Sequence, residues 1–287
     1  MALKYAIHGY AWTGKWTDES LGLIDRAREF GFDFIEIPLM DLEFIDPRKT
    51  KEHLKAAGIG VITSTALQEH QDIVSDDETV RKNGLRYLIR CVEVTAILGA
   101  RSFSGVIYAA MGRKIDTMPG EIYWERASSA LREVARVARD LGVVVGIEPI
   151  NRYETFLINT CDQALRLREM IGEPNLGIHL DTYHMNIEED NFYEPTRKAL
   201  PYLCHYHLSE SHRGTPGRGT VNWEEVFQAL AEGNYQGVVG MESFAEVSES
   251  MRAATCIWRK LAPSTDFLLT EGLKFLKNLE KKYYGNA

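Results

Sequence analysis

Short apolar runs recur along the chain at the spacing of one strand plus one helix, and this alternation limits the possible folds more than any other feature. The strands it predicts lie at Lys4–His8, Phe34–Ile37, Gly60–Thr63, Ser102–Ile107, Val143–Glu148, Leu176–Asp181, Leu203–His207 and Val238–Glu242. Between them, apolar residues return every three or four positions, as in Leu85, Leu88, Ile89, Val92 and Ala96, or Ala130, Leu131, Val134, Val137 and Ala138. That is the stripe of a helix laid on a sheet. Gly31, Gly58, Gly99 and Gly142 stand at helix-to-strand junctions, where a left-handed residue ends a helix at little steric cost. Eight such units predict an α/β protein, a single (β/α)8 TIM barrel. A chain of 287 residues, 45% hydrophobic, is long enough to fill that core, and no linker or low-complexity stretch divides it, so one domain over residues 1–287 is expected.

The ends of four of these runs carry metal-ligating side chains: Glu148, Asp181, His207 and Glu242. In a barrel of parallel strands the carboxyl ends converge on one face, where catalytic groups collect. Any one of the four alone reads equally well as a buried ion pair or a helix cap. Their coincidence at strand ends points to one metal site. Three carboxylates and one imidazole suit Mn2+ or Mg2+, with Co2+ also accommodated, better than a structural zinc. His205 and His207 alternate onto the same side of their strand; His207, nearer the carboxyl end, is the expected ligand, and His205 is expected one layer below as a core histidine with its own partner. The same parity places His179 beneath Asp181.

Charge and composition narrow the partners. A net charge of -8 argues against nucleic acid or an anionic membrane surface, both of which favour a basic footprint. A small, neutral or polar ligand fits better. Cys91, Cys161, Cys204 and Cys256 are scattered without a CxxC pair, which suggests neither a disulfide framework nor a thiolate zinc site. With no apolar leader at the start of the sequence and no run of eighteen apolar residues, a soluble cytoplasmic protein is expected. Thr270 to Tyr284 reads as a final helix packed on the barrel.

Around the four ligands lie three strings: Ile147-Glu148-Pro149-Ile150-Asn151-Arg152-Tyr153-Glu154, His179-Leu180-Asp181-Thr182-Tyr183-His184-Met185-Asn186, and His207-Leu208-Ser209-Glu210-Ser211-His212-Arg213. With them the chain resembles the ketose 3-epimerases, a family that includes D-tagatose, D-allulose (D-psicose) and L-ribulose 3-epimerases. The resemblance runs from Trp12-Thr13-Gly14-Lys15-Trp16 through Met241-Glu242-Ser243-Phe244 to Ile257-Trp258-Arg259. It implies that Glu148, Asp181, His207 and Glu242 hold the metal, that Glu148 and Glu242 also move protons, and that Glu154, His184 and Arg213 hold the oxygens of the first three sugar carbons. It further implies a free ketose substrate and a homodimer or homotetramer. Met111 and Ser64 depart from residues that some relatives carry, an aromatic and a cysteine, and leave preference at the terminal carbons open.

Inverting the hydrogen-bearing carbon beside a ketone requires removing a proton from one face and returning one to the other, a task for two opposed carboxylates. Glu148 and Glu242, from the fifth and eighth strands, meet that requirement by approaching from different sides of the barrel mouth. The expected reaction is C3 epimerisation through a cis-enediolate, with D-fructose/D-allulose, L-ribulose/L-xylulose and D-tagatose/D-sorbose as candidate pairs. Tyr153, Trp16 and Phe244 are candidates for an apolar wall. Alternatives on the same kind of barrel are an aldose-ketose or hydroxypyruvate isomerase, or an inosose dehydratase. A DNA-repair endonuclease would need more ligands and a basic groove, and a non-catalytic sugar-binding protein would bind without turnover.

Overall fold

The computed structural model describes residues 3–285, and in it eight parallel strands close into a barrel in chain order. They are β1 (Lys4–His8), β2 (Phe34–Pro38), β3 (Gly60–Ala66), β4 (Ser102–Val106), β5 (Val144–Ile147), β6 (Leu176–Asp181), β7 (Leu203–His207) and β8 (Val238–Met241). Around them run α1 (Gly22–Glu29), α2 (Pro47–Ala57), α3 (Glu78–Leu98), α4 (Glu121–Asp140), α5 (Cys161–Ile171), α6 (Thr182–Glu188), α7 (Tyr193–Ala199), α8 (Trp223–Glu232), α9 (Glu249–Thr255) and α10 (Thr265–Tyr284). Each strand pairs with its neighbours in parallel, and β1 closes the ring on β8 through Tyr5↔Val239 and Ile7↔Met241. The barrel architecture expected from the apolar alternation is the one observed.

Every expected strand is present, with small shifts at the ends. β3 runs on to Ala66, because Ser64, Thr65 and Ala66 keep their pairing with Ser104, Gly105 and Val106 of β4. These small polar residues lack the apolar signature that marks a buried strand in sequence, so the run was expected to stop at Thr63. The last helix begins at Thr265, a turn earlier than Thr270, because the Ser264 hydroxyl accepts the Phe267 N–H at 3.1 Å and caps it there. Gly58 and Gly99 end α2 and α3 at φ 65° and 86°, the left-handed conformation expected of them.

The core has two layers, one between barrel and helices and one inside the barrel. Strand parity sends Val145, Ile147, Ile178 and Leu180 outward to the helices, where all are buried. The inner layer is polar at the carboxyl end, and glycine makes room for it. A Cβ on Gly240 would stand 2.9 Å from His205 Cε1 and 3.2 Å from His207 Cδ2, so any larger residue in β8 would displace the imidazoles of β7. Among the described residues, no helix is long and apolar enough to cross a membrane.

Candidate active site

The four strand-end residues converge. Asp181 and His207 face each other in register across β6 and β7, directly above the His179–His205 pair. Glu148 and Glu242 stand one residue beyond β5 and β8. His207 Nδ1 lies 3.7 Å from Asp181 Oδ2 and 3.9 Å from both Glu148 Oε1 and Glu242 Oε2. Local structure divides the work of Asp181. Its Oδ1 caps α6 by accepting the Tyr183 N–H at 2.7 Å, whereas Oδ2, like His207 Nδ1, is buried without a hydrogen-bond partner. Two orphaned polar atoms facing each other beside two carboxylates form a donor set for a hard divalent cation.

Electrostatics support that fit. Burial, seconded by the charges of Asp181 and Glu242 and opposed by His207, holds the Glu148 carboxyl well above the ordinary carboxylate range. Burial also pushes Glu242 upward, but Arg213, then His207 and His8, outweigh it and leave this carboxyl below its ordinary value. Burial lowers His207, yet Glu36, Asp181 and Glu242 together raise it well above the usual imidazole range. These shifts mark an excess of negative charge at the centre of the barrel, which a divalent cation would offset.

A cavity of about 300 Å3 opens above this cluster, lined by Glu148, His207 and Glu242 together with Glu154, His184 and Arg213. All three residues expected to hold substrate oxygens therefore share a space with the two expected proton carriers. Asp181 lies below its floor, fully buried. His184 is fixed by the β5–α5 loop: its Nδ1 accepts the Asn151 backbone N–H at 3.1 Å, with the Asn151 side-chain amide at 2.9 Å. Nε2 faces the site, 3.1 Å from Arg213 Nη2. Burial first, and the Arg213 charge second, hold His184 well below the ordinary imidazole range. The same Asn151 amide donates to Glu154 Oε1 at 2.8 Å.

Arg213 sits in the left-handed region at φ 58°, a conformation that costs a non-glycine residue on the order of 1–2 kcal/mol. Its surroundings hold it there. The Arg213 N–H donates to the Glu210 carbonyl at 2.7 Å, and its carbonyl accepts from the Phe244 N–H at 2.7 Å. Glu210 itself is fully buried and its carboxylate gathers the N–H groups of Ser211, Gly217 and Val221 and the Trp223 indole, which folds the β7–α8 loop around it. The Arg213 guanidinium then lies over the Tyr183 ring at 4.2 Å and donates to Glu242.

Two expectations about the wall are revised. Phe244 lines the cavity, but Trp16 packs instead under Gly9, where a Cβ would meet its ring at 2.9 Å. Tyr153 is 69% exposed, because its N–H bonds to Asn151 Oδ1 at 3.0 Å and the resulting turn points the ring to solvent. Met111 and Ser64 do line the cavity, with Met40 and Gln68. Sequence reasoning missed Glu36, a fully buried carboxylate of β2 that is 2.7 Å from His207 Nε2 and 3.0 Å from His205 Nε2. Its only signal was one charged residue inside the run Phe34-Ile35-Glu36-Ile37.

Comparison with known proteins identifies the family. Residues 24–279 match the family described as the xylose isomerase-like TIM barrel. A ketose 3-epimerase of Arthrobacter globiformis is 39% identical over 96% of each chain, and an L-ribulose 3-epimerase of Methylomonas sp. is 35% identical over 96% of this chain and 97% of its own. The crystal structure of a Methylomonas sp. D-allulose 3-epimerase in complex with D-allulose superposes with a TM-score of 0.91 at 33% identity, covering 96% of this chain and 97% of that one. On this match, carried along nearly the whole chain, the protein belongs to the ketose 3-epimerase family of carbohydrate isomerases.

Proposed function

We propose that this enzyme epimerises free ketoses at C3, with Glu148 and Glu242 as the two proton carriers. The observation that carries this reading is their placement: two carboxylates from β5 and β8, each 3.9 Å from the same His207 Nδ1, with the cavity above them. A ketose seated there with C3 between them loses its C3 proton to one carboxylate and gains a proton on the opposite face from the other. The electron pair of the broken C–H bond moves into C2–C3 as the C2 carbonyl becomes an oxyanion, giving a cis-enediolate. Return of a proton to C3 restores the ketone with inverted configuration, and exchange with solvent resets the pair.

The chain supplies donors where this negative charge develops. Arg213 brings a fixed positive charge, His184 sets its Nε2 3.1 Å from that guanidinium and helps to place it, and Glu154 accepts from a substrate hydroxyl. The Glu148, Asp181, His207 and Glu242 set would hold one divalent ion, Mn2+ or Mg2+ with Co2+ also admitted, which when bound supplies Lewis acidity at the substrate oxygens. Among the residues lining the cavity, Arg213 is the single lysine or arginine, and it is already engaged by Glu242, whereas Asp41, Glu148, Glu154 and Glu242 are acidic. A phosphate group would find little to bind. Free D-fructose or D-allulose, L-ribulose and D-tagatose are the candidates, in keeping with the relatives named for L-ribulose and D-allulose.

Chelator-stripped protein, resupplied with Mn2+, Mg2+ or Co2+ and offered each of these sugars, tests the reading by product chromatography. The C3 epimer is expected only when metal is present. An aldose product, or loss of water, would replace this reading with an isomerase or a dehydratase, and faster turnover of a phosphoketose would overturn the free-sugar part.

A further inference from the structure

We propose that Glu36 is the positioning residue of the metal site: by accepting the Nε2–H of His207 it fixes the ring so that Nδ1 is the atom offered to the cation. This rests on the metal-site reading above. Glu36 belongs to β2 and reaches His207 across the barrel interior, since β1 and β8 intervene between β2 and β7. Its side chain is fully buried, and its ion-pair partners among the described residues are histidines only: His207 and His205 through Oε2, at 2.7 and 3.0 Å, and His8 through Oε1 at 3.6 Å.

A buried carboxylate with no lysine or arginine partner is costly to keep, so packing alone does not account for it. Its chemistry does. A carboxylate only accepts, so each ring nitrogen facing it carries a proton, and in His207 that nitrogen is Nε2. The remaining nitrogen, Nδ1, points into the cluster of Glu148, Asp181 and Glu242 and has no hydrogen-bond partner. Without Glu36 the ring could turn over or place its proton on Nδ1, and the ligand atom would be lost. His205 is held through the same Oε2 and stacks edge-on against His207 with ring centres 4.7 Å apart, which supports the ring from below. His8 is held differently, its Nδ1 accepting from the Tyr10 N–H at 3.1 Å. Of the three imidazoles, only His207 has its other nitrogen aimed at the carboxylate cluster.

The test uses Glu36→Leu, which removes the acceptor, and Glu36→Gln, which keeps one carbonyl oxygen. Mn2+ affinity of the chelator-stripped proteins is measured by calorimetry, and the imidazole N–H resonances of the metal-free proteins by NMR. Wild type should show a downfield, slowly exchanging His207 Nε2–H. In Glu36→Leu that resonance should be lost and Mn2+ should bind about 10- to 100-fold more weakly, the usual effect of removing a carboxylate behind a ligating histidine. Glu36→Gln should recover part of both. An unchanged Mn2+ affinity and an unchanged resonance in Glu36→Leu would overturn the proposal, and if that variant does not fold, unchanged values in Glu36→Gln would do so. If wild type binds no divalent ion at all, the metal reading fails, and the resonance in the metal-free variants still decides whether Glu36 orients His207.

Discussion

The backbone N–H of Asn151 donates to His184 Nδ1 at 3.1 Å, so a loop after β5 determines which nitrogen of an α6 histidine faces the cavity. The side chain of Asn151 extends the link, with its amide reaching both His184 Nδ1 at 2.9 Å and Glu154 Oε1 at 2.8 Å. In Asn151→Ala the backbone contact remains but Glu154 loses its anchor. Steady-state kinetics should show kcat/KM lowered by about 10- to 100-fold, the scale of a misplaced orienting group. Mn2+ affinity should be unchanged, since none of the ligand residues bonds to Asn151.

Glu148→Gln and Glu242→Gln each remove one of the two proposed proton carriers. Because inversion needs both faces served, either substitution should lower kcat by about 100- to 10,000-fold, the usual contribution of a positioned acid or base. Glu242→Gln should in addition weaken substrate binding, since an uncharged amide holds the Arg213 guanidinium in place less firmly than the carboxylate. Near-normal epimerisation by either variant would exclude a two-carboxylate mechanism.

Cation binding should stabilise the fold and depend on pH in a defined direction. The proposed ligands come from the ends of β5, β6, β7 and β8, so an ion bound there would tie four strands together. At a free concentration of 100 times Kd, it should add about 2.7 kcal/mol of stability, visible as a higher Tm that EDTA reverses. Burial shifts Glu148 upward and the neighbouring carboxylates shift His207 upward, and a cation binds only the deprotonated forms of both. Affinity should therefore rise with pH, and calorimetry in buffers of different ionisation enthalpy should register proton release.

Away from the site, Glu173 should make a pH-dependent contribution to stability. It accepts from Arg136 Nε at 2.8 Å and Arg139 Nη1 at 2.5 Å, joining α4 to the turn before β6. The Arg136 hydrogen bond, with the charges of both arginines, holds its carboxyl below the ordinary range against the effect of burial. A folded value lower than the unfolded one stabilises the protein above the unfolded pKa of about 4.3, and this contribution is lost as pH falls through the folded value. Glu173→Gln should lower Tm at pH 7, and the gap from wild type should close in acid.

The barrel was legible because its signal is periodic: apolar strands, apolar helix stripes and glycines at helix ends repeat at one spacing. Glu148, Asp181, His207 and Glu242 were legible for the same reason, as polar residues placed repeatedly where buried strands end. Glu154, His184 and Arg213 carry no such mark. Their position depends on loops, through Asn151 for the first two and Glu210 for Arg213, so only the family motif identified them. Trp16 and Tyr153 were misplaced because aromatic character does not fix direction, and a turn at Asn151 sends Tyr153 to solvent. Glu36 was hidden by distance, since its contact with His207 joins residues 171 apart in sequence across the barrel.

The most direct measurement is the fate of the C3 hydrogen when the Mn2+-loaded enzyme acts on a free ketose in deuterated water. NMR of the product should show deuterium at C3 and none at C1, with the same label appearing in recovered substrate as the reaction approaches equilibrium. Epimer formed with its original hydrogen retained at C3 throughout would contradict proton exchange through Glu148 and Glu242, and with it the proposed mechanism.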